Sequence, residues 1–180
     1  RRSLIELGQQ RSFRDPLIAE IVSARFVPVR LQRSSDNLEL LARLGAPTTY
    51  GGFLVVVTPT GESLGLVDPG DSAEPLRFAN ALSERYRTYR DRVYNDQLKP
   101  ILEDRAAKPA ALQRALKTIR DLIITSADAD VAKLLETHNR NRQIKADIYN
   151  TLSVLSTPAS IDALYDAALA ERTAADALKR

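Results

Sequence analysis

The chain has 180 residues, of which 44% are hydrophobic and 27% charged, a balance that excludes disorder over most of its length. It contains no cysteine, which excludes disulfides, thiolate nucleophiles and cysteine-based metal or iron–sulfur sites. The formal net charge of +3 is mild and interleaved with acids, unlike the basic stripe of a nucleic-acid binder, and no apolar run is long enough to span a membrane.

Methionine is also absent, and the chain opens Arg1-Arg2-Ser3, so residue 1 is expected not to be the natural start. Ser3 to Gln10 is weakly helical, through Leu4, Ile5 and Leu7. Asp15-Pro16 is a helix-start signal, with Asp as cap and Pro in the first turn. Leu17, Ile18, Ile21 and Val22 follow at helical spacing, to about Ala24. Phe26 to Leu31 has the β-branched and aromatic content of a strand, with Pro28 restricting it to a position whose amide is free. Ser35 or Asp36 is placed to cap a short helix through Leu38, Leu40, Leu41 and Leu44, which Gly45 ends. After a loop from Pro47 to Gly52, the continuously apolar Phe53 to Val57 reads as a strand buried on both faces. Thr58-Pro59-Thr60-Gly61 is a turn, and Glu62 to Val67 returns as the second strand of a hairpin. Asp68-Pro69-Gly70 ends it, and Pro75 opens a helix through Leu76, Ala79, Leu82 and Tyr86.

This order of helix, strand, helix, hairpin and helix resembles the thioredoxin-like superfamily over roughly residues 1–86. The resemblance rests on Phe13-Arg14-Asp15-Pro16, Phe26-Val27-Pro28-Val29 and the strand and turn Val55 to Gly61. It is closest to a bacterial group with a redox cysteine pair, a short helix, an aromatic with Asp-Pro, and a Phe-Val-x-Val strand. The resemblance places the redox pair near Arg2 and Ile5, neither of them cysteine, or upstream of residue 1. It places the family's cis-proline at Gly51 or Gly52. No strand fits before Ser3, so the resemblance implies an incomplete thioredoxin-like sheet in a chain cut from a longer protein.

From Arg85 onward strand signals vanish. A long helix through Tyr86, Tyr89, Val93, Leu98 and Leu102 is expected, ended or kinked at Pro100. Ala106 to Pro109 is the expected boundary, giving a 1–105 α/β module and a 106–180 helical module. In the second module Leu122 and Leu152, Val131 and Ile161, and Leu134 and Leu164 correspond at thirty-residue spacing as inward positions. The turns Ala127 to Asp130 and Thr157 to Ser160 also correspond. A third unit is expected to begin at Glu171. This pattern resembles HEAT-like helical-hairpin repeats, in a shorter bacterial variety.

Chemistry-bearing residues are few. His138 is the only histidine and reads as a helix C-terminal residue favoured by the dipole, against the alternative of a general base or ligand. Asp128 and Asp130 read as caps rather than metal ligands, and Asp68 to Asp71 as a turn. Serine-hydrolase, phosphate-loop and dinucleotide motifs are missing. Arg85, Arg87, Arg90 and Arg92 interleave with Tyr86, Tyr89 and Tyr94. Such a mixture can stack on single-stranded nucleic acid, but the tyrosine spacing fits an amphipathic helix packing inward. The partner-contact candidates are Arg85, Tyr89, Arg92, Arg140 and Arg142. No catalytic residue, cofactor or metal is expected. The expected function is a non-catalytic protein-interaction scaffold. Its rivals are the back part of a thiol–disulfide oxidoreductase and nucleic-acid association through the Arg/Tyr helix.

Overall fold

The computed structural model describes residues 4–31, 34, 37–45, 53–138 and 141–177. It is mostly helical, with one antiparallel strand pair among those residues. The chain forms two compact units, Arg1–Tyr89 and Arg90–Arg180.

In the first unit, α1 (Leu4–Ser12) and α2 (Pro16–Arg25) are followed by α3 (Leu38–Arg43), the hairpin β1 (Leu54–Val57) and β2 (Ser63–Val67), α4 (Pro69–Ala73) and α5 (Pro75–Arg92). The Asp15-Pro16 signal acts as the sequence predicts: the Asp15 carboxylate accepts from the Leu17 amide, and Pro16 occupies the first turn, where no amide is needed. The hairpin turn is tied by Thr58, whose hydroxyl accepts from the Glu62 amide while its carbonyl accepts from Gly61. Gly61 takes φ +84°, a conformation that glycine alone adopts without strain.

Register in the hairpin pairs Leu54 with Val67, Val56 with Gly65, and Val57 with Ser63. Leu64 is therefore the extra residue of a bulge, which re-aims its side chain. Leu64 is buried with Val56 and Val67 against Ile18 of α2 and Phe78, Ala79 and Leu82 of α5. Phe13 meets the edge of Phe78 at 5.3 Å between ring centroids. Gly8 of α1 sits so close to α4 that a Cβ there would lie 2.7 Å from Ala73 Cβ, and Gln9 donates to the Ser72 hydroxyl beside it.

The strand expected over Phe26 to Leu31 does not form a ladder among the described residues. Val27 and Val29 are 88% and 74% exposed. β-propensity reports fit to a half-buried pleated surface, and without a neighbouring strand it has nothing to act on. The expected cap Ser35 or Asp36, the loop Pro47 to Gly52 and the cis-proline position at Gly51 or Gly52 lie outside the described residues. The structure thus shows the coarse order of helices, one strand hairpin and then helices only.

The second unit starts in the last residues of α5 and continues through a π-helical stretch, Val93–Leu98, into α6 (Lys99–Glu103). Pro100 accounts for the wide turn. Its ring would clash with the carbonyl four residues earlier in an α-helix. A π turn moves that carbonyl aside, and the Lys99 amide instead reaches Tyr94 O, five residues back. The helix is thus widened rather than broken.

Four helices follow: α7 (Pro109–Leu122), α8 (Asp128–Thr137), α9 (Arg142–Leu155) and α10 (Pro158–Ala177). α9 packs on α7, α8 and α10, and α10 also packs on α8. The core is Leu112, Ala115, Leu116, Ile119, Ile124, Val131, Leu134, Ile144, Ile148, Leu152 and Leu155. Both α7 and α9 end in a left-handed residue that is not glycine, Ile123 at φ 51° and Ser156 at φ 49°. The corresponding caps are therefore not thirty residues apart.

The inward pairs expected at that spacing hold only in part. Leu152, Val131 and Leu134 are buried, Leu122 and Leu164 are half-buried, and Ile161 is 57% exposed. Ile124, beyond the left-handed residue, fills the core place expected for Leu122. Nor does a new unit start at Glu171, because α10 runs unbroken to Ala177. Its last turns hold Ala, Glu and Arg, good helix formers with no glycine or proline to stop them.

Candidate functional site

Of the residues proposed for partner contact, Arg85 and Tyr89 lie in the first unit and Arg92 and Arg142 in the second. Arg140 lies outside the described residues. Arg85 is engaged: its guanidinium donates to the Leu66 carbonyl at 3.0 Å and passes over Gly65. A Cβ on Gly65, which has φ +105°, would stand 3.4 Å from the Arg85 guanidinium carbon. The glycine thus admits both the bulge and the arginine. Tyr89 is half-buried against the first unit's core. Its ring is 6.5 Å from that of Tyr86, which also meets Phe26 edge-on at 6.1 Å and carries the Arg25 guanidinium over its face at 5.3 Å. The Arg/Tyr helix accordingly turns its tyrosines inward, while Arg87 and Arg92 are exposed. Arg142, the first residue of α9, is exposed as well.

The second unit holds polar clusters with no signal at the level of spacing. Tyr94, turned inward by the π stretch, donates its hydroxyl to Asp130 in a very short hydrogen bond. Lys133 pairs with the other Asp130 oxygen at 2.8 Å. Asp130 is held below its ordinary pKa by the Lys133 ammonium first and the Tyr94 hydroxyl second, with burial opposing them. The Tyr94 phenol is pushed well above its ordinary value, first by burial and then by the adjoining carboxylate. Near neutrality this pair is a phenol donating to a carboxylate, and neither group is poised to exchange a proton.

Next to it, Thr157 donates to Asp128 at 2.7 Å and accepts from the Ser160 amide at 3.0 Å, capping α10. Asp128 and Asp130 therefore serve side-chain partners, whereas the sequence marks them only as caps. Arg120 reaches the Asp147 carbonyl and the Thr151 hydroxyl at 3.1 and 3.0 Å, and Gln113 donates to the Asp147 carboxylate. Lys145 pairs with Glu171 at 2.5 Å, and Tyr149 donates to the same carboxylate at 2.9 Å. That contact raises the Lys145 pKa and lowers that of Glu171. A neighbour four residues along α9, as Lys145 and Tyr149 are, can share a partner on a packed helix. Sequence spacing cannot show which helix supplies it.

His138 stands at the C-cap of α8, its amide bonded to Leu134 O. Among the described residues no three His, Asp or Glu side chains gather as a metal site, and no helix is long and apolar enough to cross a membrane. A shallow, open depression of about 450 Å³ lies at the α1–α2 corner, lined by Gln10, Arg11, Arg14, Asp15 and Pro16. Its Asp15 carboxylate already caps α2. Comparison with protein-family models, curated proteins and solved structures gives no match.

Proposed function

We propose that this protein is a non-catalytic interaction scaffold, joining a thioredoxin-like α/β module to HEAT-like helical repeats. The observation that carries the reading is the packing of the second unit. Within it α9 lies on α7 and α8, and α10 lies on α8 and α9. Helices layered in this way bury one apolar face against the next and present long helical surfaces to partners, as the units of a helical repeat do. The polar clusters support the same reading, since Tyr94, Asp128, Asp130, Arg120 and Asp147 are each committed to a neighbour within the fold. Arg92 and Arg142 are the exposed cations offered to an acidic protein partner.

The test is affinity capture from the native host with the intact chain and with an Arg92→Glu, Arg142→Glu variant of unchanged circular dichroism. A stoichiometric protein partner held by the first and released by the second is expected. Retention of the same partner by both chains would refute the role given to the two arginines. Recovery of no partner by either would refute the scaffold itself.

One rival keeps a specific observation in its favour. The first unit packs α2 and α5 onto a β-hairpin, as expected of the later part of a thioredoxin-like redox protein whose cysteine pair lies upstream. That rival predicts insulin-disulfide reduction by a longer natural polypeptide and none by residues 1–180, which contain no thiol.

A further inference from the structure

We draw no further inference here: the strongest candidate, the outer edge of β1 in the first unit, pairs only with β2 among the described residues, and nothing in the structure shows what covers its other side.

Discussion

At Gly8 the structure leaves no room for a single methyl group. The Cβ of an alanine would fall 2.7 Å from Ala73 Cβ and 3.1 Å from the Ala73 carbonyl oxygen, and the latter is main chain that cannot swing away. Alanine normally favours a helix over glycine by about 1 kcal/mol. Here overpacking should reverse that sign, and Gly8→Ala is expected to destabilise the first unit by about 1–3 kcal/mol in urea titration. A gain in stability would show that α1 and α4 do not meet at this point.

Asp130 gives the corresponding test by charge. Its carboxyl is held below the ordinary value by Lys133 and then Tyr94, so folding favours the ionised form. That contribution is complete above the ordinary carboxylate range and is lost as pH falls through the lowered value. Asp130→Asn keeps an acceptor for the tyrosine but cannot titrate. The variant is expected to lose stability less steeply than the native chain below about pH 4, read as the thermal midpoint against pH. Identical slopes would show that the carboxylate does not couple to folding.

Among the elements, those announced by backbone chemistry were legible and those requiring a distant partner were not. Asp15-Pro16 specified the start of α2, and Thr58 to Gly61 specified the hairpin turn, because both act through atoms a few residues away. Phe26 to Leu31 carries strand chemistry, yet a strand exists only when another lies beside it. The bulge at Leu64 depends on Gly65 beneath Arg85, a relation between residues far apart in sequence that no local pattern contains. The tyrosines of α5 were readable as inward from their spacing. The partner of Tyr94 was not, since the π turn set by Pro100 alters which side chains face the core.

The left-handed ends of α7 and α9 were also unannounced, because Ile123 and Ser156 stand where glycine is the usual signal. A non-glycine residue in that conformation costs roughly 1–2 kcal/mol. Ser156→Gly is therefore expected to raise the thermal midpoint of the second unit by a few degrees, allowing for the lost hydroxyl contact to Ser153 O. A lowered midpoint would show that this contact outweighs the backbone strain.

At the scale of the whole molecule, each unit encloses a core of its own, around Phe78 in one and around Ile119, Ile148 and Leu152 in the other. Leu152 is fully buried, whereas Leu122 is only half-buried at the end of α7. Leu152→Asp would place an unpaired charge in that core and is expected to abolish amide protection throughout α7 and α9. Leu122→Asp, with a path to water, is expected to leave most of that protection in place. Equal damage from the two would show that the end of α7 is part of the core.

The wide turn over Val93–Leu98 has a consequence for the length of the chain. A π segment carries one residue more than an α-helical path, so the second unit has slack where Pro100 demands it. Deleting Asn95 would let the helix wind at its ordinary pitch only by bringing the Pro100 ring back onto the main chain. The same shortening would swing the Tyr94 hydroxyl away from its carboxylate. One surplus residue, in this sense, is what lets a proline and a buried phenol share the same two turns.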